Sequence, residues 1–355
     1  MMKKVLTYDE EGNLTDREKQ VLQQIIHSYV LSARPVGSRY ISKHSDLGLS
    51  PASIRNIMAE LEERGFIDHP HTSSGRIPTD KGYRYYVDTL MQIDRLTSRE
   101  KAIIRNVVKK NTETKLAEIL KDSNKILSYI SHLLAVISLP RIQTGKLNRI
   151  DLVPLSSSRI MVILAIESGL VKTMQFELNC VIDQQQLNDI TSFLNSRLAG
   201  LTLNEIRETL IERVKTAANE KTGIIRLFID RAQNLFSDTL DRDQVIIDGV
   251  KSIIDQPEFE KAENLRSIIE LVEDEQVIIH VLESQQQQQT SNTVSITIGV
   301  ENEEDRMRDY SFISTRYNFG NVTGTVGVIG PKRMNYSKLV ALVDYLGSTI
   351  SKFHQ

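Results

Sequence analysis

Ser50-Pro51-Ala52-Ser53-Ile54-Arg55-Asn56-Ile57-Met58-Ala59-Glu60-Leu61, then Gly65-Phe66-Ile67, then His69-Pro70-His71-Thr72-Ser73-Ser74-Gly75-Arg76-Ile77-Pro78-Thr79 is the stretch that decides the fold. Ser50 is a good helix N-cap, and Pro51 suits the first helical position, where its missing N–H costs nothing. Ile54, Ile57, Met58 and Leu61 recur at helical spacing and make one buried stripe. The opposite face near the N-terminus holds Ala52, Ser53, Arg55 and Asn56, all short or hydrogen-bonding. A helix needs such residues if its first two turns enter a major groove and touch base edges. Gly65 ends the helix, and the residues after it supply a two-stranded hairpin.

The segment upstream completes the order. Thr15-Asp16-Arg17-Glu18 has the capping-box pattern, and Val21, Leu22, Ile25, Tyr29 and Val30 follow at helical spacing, giving a first helix that ends before Pro35. Val36 to Lys43 reads as a second, short helix, and Leu47-Gly48-Leu49 as a tight turn into the third. Three helices and a hairpin in this order are a winged helix-turn-helix. The expected DNA-facing set is Ser38, Arg39, Ser50, Ala52, Ser53, Arg55, Asn56, His71, Ser73 and Arg76, with Arg76 at the hairpin tip.

Charge neither adds to this reading nor opposes it. Between Arg34 and Val87 there are eight Lys and Arg against six Asp and Glu, and the 355-residue chain carries a net charge of −2, which excludes a histone-like coating protein. On the third helix the signs are sorted: Arg55 lies early, while Glu60, Glu62 and Glu63 lie late, away from phosphates. Single Cys180 excludes an intramolecular disulfide and a thiolate zinc cluster, and reads as a small buried hydrophobe. The seven histidines do not fall at metal-ligand spacing, and Ser156-Ser157-Ser158 has no His and acid placed to make it a nucleophile. No catalysis, cofactor or metal is expected. Without a long apolar run or a signal-peptide pattern, the expected location is the cytoplasm, away from membranes.

The block Pro35-Val36-Gly37-Ser38, Ser53-Ile54-Arg55-Asn56 and Pro70 to Asp88 closely resembles the heat-inducible transcription repressor HrcA family of bacteria. Gly324-Thr325-Val326-Gly327-Val328-Ile329-Gly330-Pro331-Lys332-Arg333-Met334-Asn335-Tyr336 is similar to that family as well, so the likeness touches both ends of the chain. Ser53 and Ser74 stand where the family more often has Thr and Ala. The resemblance implies a repressor of chaperone operons that binds an inverted-repeat operator as a homodimer, kept active by the chaperonin GroEL. It also implies an α+β multidomain chain, in which a GAF-like α/β domain is interrupted by an inserted dimerisation domain.

Patterning beyond residue 90 is compatible with that plan. Residues 98–107 and Leu116 to Ser138 read as helices. Asn148 to Pro154, Arg159 to Glu167 and Leu170 to Leu178 read as strands, and Asp183 to Ala199 as a helix. Gln285 to Gln289 reads as a loop and boundary. Thr293 to Val300, Tyr310 to Phe319 and Gly324 to Ile329 read as strands, and Tyr336 to Ile350 as a closing helix. The strands of 148–178 and 293–330 are expected to share one antiparallel sheet. The expected domains are 1–92 for DNA binding, 93–202 and 290–355 for the two GAF-like parts, and 203–289 for dimerisation. Ile225, Phe228, Ala232, Leu235 and Phe236 make a stripe too wide for a small segment to bury alone, and are the expected dimer contacts. The alternative function is a regulator that senses a small effector in the GAF-like domain.

Overall fold

Three antiparallel sheets organise the chain in a computed structural model that describes residues 14–70, 75–110, 116–140, 145–177, 184–215, 224–231, 235–236, 245–288, 293–320 and 322–352. Cys180, His71, Ser73 and Ala232 fall outside the described residues. The chain is α+β, and among the described residues no helix is long and apolar enough to cross a membrane.

The first unit begins with α1 (Asp16–Ser32), where the Thr15 hydroxyl accepts from the Glu18 amide at 3.3 Å and the Glu18 carboxylate accepts from the Thr15 amide at 2.6 Å. After α2 (Ser38–His44), Ser50 caps α3 (Pro51–Glu63) by accepting from the Ser53 amide at 3.1 Å. Ile54, Met58 and Leu61 are buried with Val21, Leu22, Ile25, Ile41 and Phe66, a stripe-on-stripe core of three short helices. Strands β1 (Ile67–Asp68) and β2 (Ile77–Pro78) pair in antiparallel register Ile67↔Pro78, and Thr79 then caps α4 (Asp80–Tyr85), which runs on as one wide π turn over Tyr86–Leu90.

A five-stranded sheet forms the centre. In chain order its strands are β3 (Leu134–Ser138), β7 (Val245–Asp248), β8 (Ser295–Ile298), β9 (Tyr310–Phe319) and β10 (Val322–Pro331), arranged as β7-β3-β10-β9-β8. Along β3 the side chains alternate: Ala135 and Ile137 join the core shared with the first unit, Leu134 and Val136 the core on the far face. The near face is covered by α5 (Ser98–Lys110), α6 (Leu116–Ser131) and the closing helix Tyr336–Lys352. Helices Val250–Ile254, Ala262–Glu273 and Glu275–Gln288 cover the far face, where Phe259 stacks on Tyr310 and Ile268, Leu271 and Ile278 are fully buried.

Between β3 and β7 the chain leaves this sheet and builds a separate body. Strands β4 (Leu147–Ser156), β5 (Arg159–Ile166) and β6 (Val171–Glu177) form a meander covered on one face by α7 (Gln184–Leu198), α8 (Leu203–Val214) and α9 (Ile224–Asp230). The Asn195 amide substitutes for a neighbouring strand, donating to the Ile150 carbonyl at 2.8 Å and accepting from the Ile150 amide at 2.8 Å.

Three sequence expectations are corrected here. Strands 148–178 and 293–330 do not share a sheet: alternation identifies a strand but not its partner, and β4–β6 pair locally through short turns. The helix expected over Leu116–Ser138 stops at Ser131, His132 takes φ 55°, and Leu134–Ser138 is a strand. A continuous apolar run buried on both faces has no period by which to tell strand from helix. Finally, Gln285 to Gln288 continue a helix and form no loop, and Gln289 lies outside the described residues.

The first unit is seated on the central sheet by charged contacts. Asp80 receives Lys332 Nζ at 2.8 Å and the Val300 amide at 3.1 Å, and the preceding Gly299 has φ 55°, where a Cβ would collide with the Asp80 carboxylate. Buried Arg84 donates to both Glu301 carboxylate oxygens, to the Ile296 carbonyl at 2.7 Å and to Asp88 at 3.3 Å. Arg333 pairs with Glu258 and donates to the Val30 carbonyl at 2.6 Å. The two family-like blocks at opposite ends of the sequence thus touch each other.

Candidate nucleic-acid interface

The α3 surface follows from its cap. Ser50 fixes the first turn, the Ile54/Met58/Leu61 stripe turns inward, and Ala52, Ser53, Arg55 and Asn56 are left exposed together. Ser50 is exposed too, and its hydroxyl lies 3.0 Å from that of Ser53, so each presents a polar edge while satisfying the other. Beside them α2 presents Arg39, Tyr40, Lys43 and His44. Tyr40 and His44 stack with ring centroids 4.2 Å apart, and His44 Nδ1 lies 2.9 Å from the Tyr40 carbonyl. A carbonyl only accepts, so the proton sits on Nδ1. Sequence reading missed this aromatic pair; its i, i+4 spacing was the available signal.

Two expected contacts are corrected. Ser38 is only 9% exposed, in the first turn of α2. Arg76 is not at a hairpin tip. Its amide and carbonyl bridge to Val36 at 2.9 and 2.8 Å, and its guanidinium holds the Glu62 carboxylate at 2.6 and 2.7 Å. Gly75 permits this close approach, since a Cβ there would lie 2.6 Å from the Val36 carbonyl. Arg76 therefore ties the hairpin to α3. His69 binds the other Glu62 oxygen, and Asp68 comes within 3.7 Å of the same His69 nitrogen. Glu62, Asp68 and His69 do come together, as their separation in sequence did not indicate. Arg76 and His69 share the Glu62 carboxylate, one on each oxygen.

A second brace stands behind α3. Arg64 meets Glu18 at 2.9 Å; burial pushes the Glu18 pKa up, but hydrogen bonds from Thr15 and the Arg64 charge outweigh it and hold the carboxyl below its ordinary value. Arg84 shows the same balance: burial lowers its pKa, while Glu301 and Asp88 outweigh that and keep it charged.

The expected dimer contacts lie inside the inserted body. Ile225, Phe228, Leu235 and Phe236 are each at most 1% exposed within a single chain, and Phe228 meets Phe176 edge-on at 6.2 Å. The wide stripe is wide because β4–β6 cover it. The other face of that sheet is open and mixed, with Arg149, Asp151, Thr173 and Gln175 beside apolar residues. There Met161, Ile163 and Ala165 are half-buried, Val153 and Val171 are 37% and 56% exposed, and the pairs Val153↔Met161 and Ala165↔Val171 sit side by side.

Comparison with known proteins gives a consistent result. Residues 117–340 match the family described as HrcA protein C terminal domain. The chain is 41% identical over 345 residues to a protein of Chlorobium phaeobacteroides (strain BS1) named "Heat-inducible transcription repressor HrcA", covering 96% of this chain and 98% of that one. It is 43% identical over 347 residues to the protein of that name from Chlorobaculum tepidum, covering 96% and 97%. A crystal structure titled as a hypothetical protein superposes with a TM-score of 0.58 at 23% identity, over 96% of this chain and 98% of that one, which supports the shared fold. A chain alike over its whole length to proteins of this name, in both its terminal blocks and its central sheet, belongs to the heat-inducible transcription repressor HrcA family.

Proposed function

We propose that the protein represses chaperone operons by binding an inverted-repeat operator as a homodimer, acting in the cytoplasm. The reading rests on one observation above all. A helix capped by Ser50 exposes Ala52, Ser53, Arg55 and Asn56 as a group, flanked by Arg39 and Lys43 on α2 and by a hairpin braced through Arg76. This is a winged helix-turn-helix surface, with α3 the element to enter the major groove. Residues 1–92 form that domain, and the five-stranded sheet with its covering helices is the GAF-like α/β domain. The inserted domain is 147–236, in place of the expected 203–289. Dimerisation uses the open face of β4–β6, whose apolar centre of Met161, Ile163 and Ala165 is flanked by Val153, Val171 and the polar Arg149, Asp151, Thr173 and Gln175, and which could pair with its own copy about a two-fold axis. Maintenance of activity by GroEL comes with the resemblance to the HrcA family and is tested by operator occupancy with and without the chaperonin. Footprinting on the promoter of the organism's own chaperonin operon tests the central reading: protection of two symmetric half-sites is expected, and uniform binding to any duplex overturns it.

The second reading, an effector-sensing regulator, is favoured by a cleft of about 620 Å³ between the first unit and the central sheet, lined among others by Tyr29, Thr79, Lys81, Asn264 and Tyr310. It is not favoured at the far face of the sheet, which Phe259, Ile268 and Ile278 fill. A saturable thermal shift with a metabolite, lost on an Asn264→Leu substitution, would establish it.

A further inference from the structure

We propose that Arg84 is a positioning residue for operator recognition: it sets the orientation of the helix–hairpin unit on the central sheet, and so the spacing between half-sites that the dimer accepts. The inference rests on the DNA-binding homodimer argued above.

The unit touches the rest of the chain at three charged anchors that do not lie on one element. At the end of α1 the Val30 carbonyl accepts from Arg333, at the start of α4 Asp80 takes Lys332 and the Val300 amide, and at the end of α4 Arg84 takes Glu301 and the Ile296 carbonyl. Three separated points define an orientation. Between them Tyr83 packs against Tyr336 with ring centroids 5.7 Å apart, part of a buried core that the unit shares with the central sheet, and the anchors add direction to that packing. Beside them the junction opens into the cleft of about 620 Å³. The side chains of Arg84 and Arg333 are each 10% exposed and each grip a carboxylate with two donors, but of the two only Arg84 has its forked pair across the junction, and Glu301 is fixed in turn by the Ile298 amide at 2.8 Å.

The orientation of α4 is transmitted to α3. Thr79 donates to the Gly65 carbonyl at 2.7 Å, its amide donates to the Phe66 carbonyl at 3.1 Å, and Lys81 donates to the Arg64 carbonyl at 2.8 Å. These bonds join the end of α3 to the start of α4, so a rotation of α4 in its seat swings the base-reading face of α3. In a dimer the two α3 helices must meet grooves at a fixed separation along the duplex, and a loosened seat relaxes that requirement.

The test measures affinity of the full chain for its operator, for the same operator with five base pairs added between half-sites, for a single half-site and for random duplex. Five base pairs turn one half-site by about half a helical turn, and the wild-type protein is expected to lose on the order of thirtyfold or more. Arg84→Ala is expected to lose about tenfold on the native operator yet less than threefold more on the lengthened one, with half-site binding unchanged. Arg84→Lys falls between the two. Glu301→Gln, which preserves the packed volume, reproduces the relaxed spacing should Arg84→Ala fail to fold. If either folded variant keeps the full wild-type spacing penalty, the positioning role is wrong. A wild-type protein with no spacing penalty overturns the dimer reading instead, and one that prefers neither operator nor half-site to random duplex overturns the DNA-binding reading.

Discussion

Arg55 and Asn56 stand one turn into α3 on its solvent side, where a guanidinium can donate to two acceptors of a guanine edge and an amide can donate to and accept from an adenine edge. Arg55→Ala is expected to cost about 1–3 kcal/mol of operator binding and to relax preference at one base pair; an equal loss on random duplex would assign it to a phosphate. Arg76 behaves differently, because its charge is already met by Glu62. Arg76→Ala should weaken operator binding by freeing the hairpin, with the slope of log affinity against log salt unchanged. A slope smaller by about 0.9 would instead mark a lost phosphate contact. At this scale the caps and the outward face of α3 were legible, because Ser50, Thr15 and the stripe are local signals. The partner of Arg76 was not: fourteen residues separate it from Glu62 along the chain, and only the folded hairpin brings them together.

At the scale of elements, α5 is joined to the closing helix by Glu100 and Lys338, 2.9 Å apart. Hydrogen bonding from Lys338, then from the Thr97 amide, lowers the Glu100 pKa from 4.5 to about 2. A carboxyl depressed by folding adds stability that is complete above pH 4.5 and fades as pH falls toward 2. Acid unfolding followed by circular dichroism should therefore lose part of its steepness in that window on Lys338→Met, and a curve that keeps the wild-type steepness would dismiss the pair. Elements with a clear period, such as α1, α3, β9 and the closing helix, could be read from sequence. β3 could not, since Leu134 to Ile137 are apolar on both faces and follow α6 after two residues.

For the whole molecule, the proposed homodimer rests on the open sheet face of the inserted body. Phe228→Ala should cost about 3–5 kcal/mol of stability without changing the association constant, because Phe228 is interior to one chain. Ile163→Asp with Val171→Asp should leave a folded monomer in sedimentation and reduce operator binding to that of one half-site; a persistent dimer would move the interface elsewhere. Which strands share a sheet was beyond the sequence, because pairing across an insertion leaves no local trace. That insertion also has a cost in time. β3 has as neighbours β7, more than a hundred residues later, and β10, nearly two hundred later. At bacterial synthesis rates of about 5–20 residues per second, the Leu134–Ile137 segment waits on the order of 10–40 seconds on the ribosome before its last partner emerges. Every newly made copy passes through an interval in which β3, buried on both faces in the finished fold, has unpaired edges.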